Sequence, residues 1–224
     1  MAIDKRVASA AAAVADVADG ARVMISGFGG AGFANDLVLA LRDRGARGLT
    51  IIVNSATHPL SFTHTLIEAG LVAHVICSAA RGRGKGLSVF EQLYKDGKIG
   101  LEVLPQGTFA ECIRAGGAGI PAFYTPSGYG TDLTRGKETR RFGGRDYVLE
   151  EAIQADVALV RADMADRFGN LTFRHAQKNF GPAMATAARL TIAEVRVVQE
   201  TPIAPERVEL PGVYVQRLVV AGGA

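Results

Sequence analysis

A glycine-rich turn near the start of the chain has the residue types and spacing that could bind a ligand through backbone atoms. An apolar run at 23–25 and a helical pattern from about Asn35 flank four glycines, Gly27, Gly29, Gly30 and Gly32. Glycine allows positive φ and a close approach of ligand to backbone. A helix start adds unpaired N–H groups and partial positive charge. We therefore predict a cradle for a phosphate-bearing ligand; the alternative is a tight turn that only packs a helix on a sheet.

The glycine spacing also matches the dinucleotide fingerprint, which is weak evidence by itself. That fingerprint requires an acidic residue about twenty positions later to bind the ribose hydroxyls. Here the second predicted strand ends at Asn54, and no Asp or Glu lies between Asp43 and Glu68. The pattern therefore favours a phosphate-bearing ligand other than NAD.

Polar residues follow the ends of several predicted strands. They are Ser26 and Gly27, Asn54 and Ser55, Ser78, and Gln106 and Gly107. Ligands of open parallel sheets bind beyond the carboxyl ends of the strands, and side-chain amides donate to carbonyl or carboxylate oxygens. This pattern indicates orientation of an acyl or carboxylate group rather than proton transfer, with ordinary loop polarity as the alternative.

Other catalytic patterns are weak. There is no Gly-x-Ser-x-Gly elbow, and the four histidines, His58, His64, His74 and His175, do not form a metal-ligand pattern. We expect Asp163 and Asp166 to cap a turn, and Glu138 to lie in a charged loop. Cys77 and Cys112 are expected to be buried thiols in a reducing cytoplasm rather than a disulfide. No catalytic residue and no metal site are therefore assigned to this chain.

Helical and strand periodicities alternate along the first half. Strands are predicted at 22–26, 49–53, 72–78 and 101–104, and helices at 4–18, 35–44, 60–69, 88–96 and 109–115. This alternation is typical of an α/β fold: an open, mainly parallel sheet with helices on both faces. We expect one domain over residues 1–224.

The alternation of helical and strand patterns ends at Gly116. The segment 116–144 is rich in Gly and Pro and predicts a long loop that is functional or an interface. Further strands are expected at 146–149, 157–161, 191–198 and 213–219, with a hairpin-like turn at 166–173 and a helix at 182–188.

Composition excludes several classes of function. The net charge of +3 and the 7% aromatic content do not favour nucleic-acid binding. No window of 18 uncharged apolar residues predicts a membrane span. The alanine-rich segment 8–18 contains Asp16, which favours an amphipathic helix over a signal peptide. We expect a cytoplasmic protein.

From about Asp19 to Val219 the chain resembles the A (alpha) chain of family I CoA-transferases, of the 3-oxoacid and 3-oxoadipate type. The resemblance rests on the order of short motifs: Asp19-Gly20, Gly27-Phe28-Gly29 with Gly32, Pro105-Gln106-Gly107-Thr108, the run 114–123, Gly136 to Arg140, Gly169-Asn170-Leu171, and Asn179-Phe180 with Pro182. It implies a CoA-transferase/isomerase-like α/β fold and transfer of CoA from an acyl-CoA, such as succinyl-CoA, to a small 3-oxo acid. It also implies a B (beta) subunit that carries the nucleophilic glutamate, in a heterotetramer of two A and two B subunits.

The resemblance assigns CoA binding to the turn Ser26, Gly27, Phe28, Gly29, Gly30, Ala31 and Gly32, and orientation of the acyl group to Asn54 and Gln106 with Gly107. Coenzyme A is then a substrate rather than a resident cofactor. Two alternatives are a non-catalytic acyl-CoA-binding chain and a sugar-phosphate isomerase on a related fold.

Three departures from the family pattern concern the turn and the substrate side. Ser26 stands where the family usually has glycine and is expected to crowd the turn, and Ala34 stands where the family usually has proline at the helix start. Residues 55–59 also differ from the family pattern, on the substrate side of the cleft. A basic run, 81–86, is also unusual. We hypothesise that Arg81 or Arg83 pairs with the distal carboxylate of a dicarboxylic acid; the alternative is a solvated loop or a contact to CoA phosphates.

Overall fold

The structure, a computed structural model, describes residues 3–82 and 84–222. Eight strands form the main sheet: β1 Arg22–Ile25, β2 Leu49–Ser55, β3 Val72–Ala79, β4 Gly100–Val103, β8 Ala155–Asp166, β9 Leu171–Thr172, β10 Ala188–Gln199 and β11 Arg217–Val220. Their order is β11-β10-β8-β1-β2-β3-β4, and the strands on this path are parallel. β9 pairs antiparallel with β8. The predicted mainly parallel sheet is confirmed.

Six α-helices belong to the described residues: α1 Ala10–Val14, α2 Asn35–Arg44, α3 Thr63–Glu68, α4 Val89–Lys95, α5 Gln106–Gly117 and α6 Gly181–Thr186. One apolar core joins Val23 and Ile25 of β1 to residues of α1 to α4. Met24, between them in sequence, points to the opposite core, which contains residues of α5 and α6. Because both faces are covered, the central strands are almost continuously apolar, and the prediction of helices on both faces is confirmed.

Strand β1 lies at the point where the strand order reverses. The strands β2, β3 and β4 follow on one side of it, and β8 pairs with it on the other. In open α/β sheets the crevice for ligands forms at such a switch point, beyond the carboxyl ends of the strands. The glycine turn follows β1 directly and therefore lies at this crevice.

The prediction of a loop over 116–144 is wrong. Helix α5 continues to Gly117, and a separate antiparallel sheet forms from β5 Ala122–Thr125, β6 Thr139–Phe142 and β7 Arg145–Glu151, in the order β5-β7-β6. The expected strand at 146–149 belongs to this small sheet. Strand β6 is exposed along its length, so it carries no apolar alternation by which a strand could be recognised. The role of segment 116–144 at an interface stays a prediction.

Two further boundaries differ from the predictions. The first helix is only Ala10–Val14 instead of 4–18, because the preceding residues run beside β11, where the N–H of Val7 donates to the Leu218 carbonyl. The last strand begins at Arg217 rather than 213, after a 3₁₀ turn at Gly212–Tyr214.

The predicted turn cap is half right. Asp166 is buried, and its Oδ1 accepts from the N–H groups of Phe168 and Asn170 at 3.0 and 3.1 Å, so it caps the turn. Asp163 instead forms an ion pair with Arg196 at 3.0 Å.

Cys77 and Cys112 are free and buried, as predicted, and burial raises the pKa of their thiols to about 11 and about 12.

Within residues 3–82 and 84–222, no helix is both long and apolar enough to cross a membrane. In the same described ranges, no three His, Cys, Asp or Glu side chains are grouped as a metal site would need.

Candidate functional site

The turn after β1 is a two-residue hairpin of backbone atoms. The N–H of Phe28 donates to the Ala31 carbonyl at 3.0 Å, and the N–H of Ala31 donates back to the Phe28 carbonyl at 3.1 Å. Gly29 and Gly30 form the tip with φ of 61° and 97°, as two-residue hairpin loops require. Both are exposed, and their N–H groups bond to no acceptor among the described residues. The tip therefore offers two free amide donors.

Ser26 connects the base of this turn to the neighbouring strand. Its side chain is buried, and its Oγ donates to the Gly32 carbonyl at 2.6 Å. The same oxygen accepts from the N–H of Arg161, on β8, at 3.1 Å. The Ser26 hydroxyl, which we expected to crowd the turn, is thus accommodated by two hydrogen bonds, one of them across the turn.

The other side of the turn is held by Asn179, which precedes α6. Its Oδ1 accepts from the N–H of Gly27 at 3.2 Å, and its Nδ2 donates to the Ala31 carbonyl at 3.1 Å. A Cβ added to Gly32 would lie 2.7 Å from Asn179 Nδ2, and one added to Gly27 would lie 2.1 Å from the Phe33 ring. Glycine is therefore required at both positions by close packing.

At the start of α2, the N–H groups of Asp36 and Leu37 are already bound within the chain, so these two are not available to the predicted anion. No side chain of the N-cap residue Ala34 caps the helix. Instead, Oε2 of Glu194, on β10, accepts from the N–H groups of Asp36 and Leu37 at 2.9 and 3.1 Å. The chain's own carboxylate thus occupies the positive helix end. Among the predicted donors, the exposed free amides are those of Gly29 and Gly30.

Asn54, at the end of β2, has its side-chain oxygen fully engaged. Its Oδ1 accepts from Ser78 Oγ at 2.9 Å and from Gln106 Nε2 at 3.1 Å. In this orientation of the amide, Nδ2 is a donor with no acceptor among the described residues. Asn54 lines a small cavity together with Ser26, Gly27, Phe28, Ser55 and His58.

The structure therefore brings most of the predicted site together. Residues 26–28 share this cavity with Asn54, and Gln106 joins it through its bond to Asn54. Gly107 follows in the first turn of α5 and is exposed.

Arg81 lies apart from this cluster. Its Nη1 is 2.6 Å from Oε1 of Glu91, and its side chain is 64% exposed. Glu91 belongs to the capping box of α4, and hydrogen bonds, first from the Ser88 backbone N–H, hold the pKa of its carboxyl at about 2. The Arg81 carbonyl accepts from Thr57 Oγ1 at 2.9 Å, which ties the basic run to segment 55–59. Arg83 lies outside the described residues.

Sequence reasoning missed three residues that hold the turn: Arg161, Asn179 and Glu194. Each lies more than 130 positions from its partner in the turn or in α2, so local patterns could not connect them. One signal was present, because Glu194 interrupts an apolar strand in which an unpaired carboxylate would be costly.

The free donors of this region suit stabilisation of an oxygen, although Gly29 and Gly30 lie at the turn tip and are not among the residues that line the cavity with Asn54. Two backbone N–H groups and one side-chain amide are neutral donors, held by a packed turn and a hydrogen-bonded cluster. Such donors stabilise negative charge that develops on a carbonyl oxygen. Among the described residues, those lining the cavity include no carboxylate and no thiol that could act as a nucleophile.

Comparisons with known proteins agree with this chemistry. Residues 7–221 match the family model described as Coenzyme A transferase. The chain is 48% identical over 223 residues to the A subunit of 3-oxoadipate CoA-transferase from Pseudomonas putida, covering 99% of this chain and 96% of that protein. It is 50% identical over 218 residues to the A subunit of succinyl-CoA:3-ketoacid coenzyme A transferase from Xanthomonas campestris pv. campestris (strain B100), covering 96% and 88%.

Solved structures show the same fold. Glutaconate coenzyme A-transferase from Acidaminococcus fermentans superposes with a TM-score of 0.83 at 20% identity, covering 97% of this chain and 75% of that chain. These comparisons give no support to the sugar-phosphate isomerase or non-catalytic alternatives. With a matched family model over almost its whole length and relatives near 50% identity, the chain belongs to the coenzyme A transferase family.

Proposed function

We propose that this chain is the A subunit of a heteromeric CoA-transferase. It moves CoA from succinyl-CoA to a small 3-oxo acid, such as 3-oxoadipate or acetoacetate. The supporting observation is the combination of identity to A subunits over nearly the full chain with a described cavity whose lining has amide donors but no carboxylate and no thiol. A site of this kind needs a second chain to supply the attacking group.

In the mechanism that the family resemblance implies, a glutamate of the B subunit attacks the thioester carbonyl. CoA leaves as the thiolate, and an acyl-glutamyl anhydride forms. The thiolate then attacks the glutamyl carbonyl, which releases the acyl carboxylate and gives a glutamyl-CoA thioester. The acceptor acid reverses these two steps and regenerates the glutamate, so each difficult step is divided into easier ones.

Each attack places negative charge on a carbonyl oxygen. In our proposal the N–H groups of Gly29 and Gly30, together with Asn54 Nδ2, donate to that oxygen. Gln106 contributes by holding Asn54 Oδ1, so that the amide presents its nitrogen to the cavity. The turn binds the acyl-CoA through main-chain donors, and Phe28, 43% exposed beside it, provides apolar surface. We therefore assign the binding of acyl-CoA to the residues of this turn: Ser26, Gly27, Phe28, Gly29, Gly30, Ala31 and Gly32.

We also propose a heterotetramer of two A and two B subunits that works in the cytoplasm. The relatives are named as A subunits, which supports a separate B chain. The mass of the reconstituted complex, measured by light scattering, tests the stoichiometry.

The decisive experiment separates the two subunits. We expect the purified chain to transfer no CoA from succinyl-CoA to 3-oxoadipate or acetoacetate, and activity to appear when the B subunit is added. After incubation with succinyl-CoA alone, intact mass spectrometry should find the CoA adduct on B and none on this chain. Full activity of the isolated chain, or an adduct on it, would contradict the proposal.

A further inference from the structure

Glu194 is a buried carboxylate that holds the start of α2 from a different part of the fold. Its side chain is 3% exposed. One oxygen accepts from the N–H groups of Asp36 and Leu37, and the other pairs with Arg161 Nη1 at 2.5 Å. Arg161 is its direct cross-strand neighbour in the β8–β10 register. Three donors therefore fix this carboxylate.

Arg161 connects this carboxylate to the glycine turn. Its guanidinium pairs with Glu194, while its backbone N–H donates to Ser26 Oγ at 3.1 Å. Ser26 is the first residue of the glycine turn, and Asp36 follows the turn in the first turn of α2. The two ends of segment 26–36 are thus anchored to the same pair of strands, β8 and β10, by one connected network.

The network of Glu194 and Arg161 affects the direction in which the amides of the glycine turn point, and it does not itself contact the ligand. Glu194 occupies the N–H groups of Asp36 and Leu37, so no ligand can use these two, while the exposed N–H groups of Gly29 and Gly30 have no acceptor among the described residues. Loss of the carboxylate would leave a half-buried guanidinium and two helix N–H groups without their acceptor. The start of α2 would then shift, and the turn with it.

We propose that Glu194, acting through Arg161 and the start of α2, is a positioning residue that sets the direction of the Gly29 and Gly30 amides toward the reacting carbonyl. This inference rests on the proposed function, because it assigns those amides to the transition state. A small rotation of preorganised donors lowers kcat more than it weakens substrate binding.

The same two strands supply a matched control. Asp163 of β8 and Arg196 of β10 form an ion pair at 3.0 Å, and among the described residues neither side chain forms a hydrogen bond with residues 26–36. Glu194→Gln and Asp163→Asn are each isosteric and each remove one charge from a β8–β10 pair.

The test is steady-state kinetics of the complex with the B subunit, using succinyl-CoA and acetoacetate. For Glu194→Gln we expect kcat to fall at least ten-fold, with the KM for succinyl-CoA within two-fold of the original, and Asp163→Asn to change neither value more than two-fold. Arg161→Met keeps the backbone bond to Ser26 but removes the ion pair, and it should reproduce the Glu194→Gln effect. An unchanged kcat in both variants, or a rise in KM alone, would overturn the inference.

Hydrogen exchange of the full chain without the B subunit gives a readout that does not depend on activity. The peptide covering residues 26–34 should exchange faster in Glu194→Gln and Arg161→Met than in Asp163→Asn. Should the original complex be inactive, the proposed function fails while this measurement still tests the network. Failure of both Glu194→Gln and Arg161→Met to fold would also overturn the inference, because the pair would then be a stability element only.

Discussion

The hydroxyl of Ser26 closes the glycine turn by donating a 2.6 Å hydrogen bond to the carbonyl oxygen of Gly32. The two residues are the first and last of the seven-residue turn, and the oxygen that joins them also accepts from the N–H of Arg161. A side chain that the family resemblance marks as a departure thus stabilises the conformation in which Gly29 and Gly30 present their amides.

Ser26→Ala should lower the free energy of unfolding by about 1–3 kcal/mol, because the Gly32 carbonyl and the Arg161 N–H both lose a buried partner. Urea unfolding of the isolated chain measures this change. Thr65→Ala is the control: Thr65 Oγ1 donates to the Phe62 carbonyl at an exposed position, and its loss should cost about 0.5 kcal/mol or less. Equal costs for the two variants would contradict the bridging role.

Gly27→Ala should destabilise the chain severely, by at least about 3 kcal/mol. The new Cβ would lie 2.1 Å from a Phe33 ring carbon, at a φ of 127°. Gly29→Ala is the matched control, because its φ of 61° lies in the left-handed region and no atom lies within 4 Å of the added Cβ. It should cost about 1–2 kcal/mol. Thermal unfolding of both variants checks the order; a more stable Gly27→Ala would contradict the packing.

Asn54→Asp should lower kcat of the reconstituted enzyme by about 10²–10³. The carboxylate keeps the acceptor for Ser78 and Gln106 but replaces the Nδ2 donor by a negative oxygen. Steady-state kinetics with succinyl-CoA measures the loss. Ser78→Ala removes one donor to Asn54 Oδ1 and leaves Nδ2 in place, so we expect a loss below ten-fold. A larger effect at Ser78 than at Asn54 would refute the assignment.

Arg81→Ala and Arg83→Ala should lower turnover of 3-oxoadipate relative to acetoacetate by about ten-fold, since a charge-assisted bond to the distal carboxylate is lost. In this structure Arg81 pairs with Glu91, so the substrate carboxylate would use its remaining N–H groups. Competition between the two acids measures the ratio, and Arg42→Ala is the control. An unchanged ratio with a raised KM for succinyl-CoA would indicate contacts to CoA phosphates instead.

The ion pair between Asp16 and Arg217 should make stability depend on pH in the acid range. Hydrogen bonds from Arg217 hold the pKa of Asp16 at about 2, below its usual 3.8. A lowered carboxyl pKa contributes stability above the unfolded value, and this contribution is lost as pH falls from about 4 to 2.

Asp16→Asn should therefore cost less than about 1 kcal/mol at pH 7, because the Asp16 side chain is 61% exposed. The difference from the original chain should shrink as pH falls through about 2 and vanish below it. Urea unfolding across this range measures it, and Asp43→Asn, at a 65% exposed carboxyl, is the control. A difference that grows toward acid pH would contradict the sign.

The first half of the fold was predictable because local patterns carried the information. The apolar runs of β1 and β2, and the glycines between β1 and α2, specify strand, turn and helix within 33 residues, 22–54. Since carboxyl ends of parallel strands share one edge, the same patterns also placed Ser26 near Asn54.

Two other features could not be predicted from local patterns. The residues that hold the turn are far from it in the sequence, and strand β6 has no hydrophobic periodicity. Glu194 and Asn179 hold the turn from distant segments, and no window of ten or twenty residues contains both partners. Strand β6 was missed although Gly143 and Gly144 follow it, a pair typical of tight hairpins. Its residues Thr139–Phe142 are all exposed, so burial did not shape their pattern.

The hydrogen bond between Ser26 and Arg161 spans 135 positions, and this has a consequence for biosynthesis. Until β8 has emerged from the ribosome, β1 has β2 as its neighbour and an open apolar edge on the other side. The turn therefore lacks this bond until nearly three-quarters of the chain has been made, and it lacks the bonds of Asn179 until later still. Substitutions that slow the docking of β8 should therefore cause the nascent chain to aggregate. The molecules that do complete the sheet should have the same free energy of unfolding as the original protein.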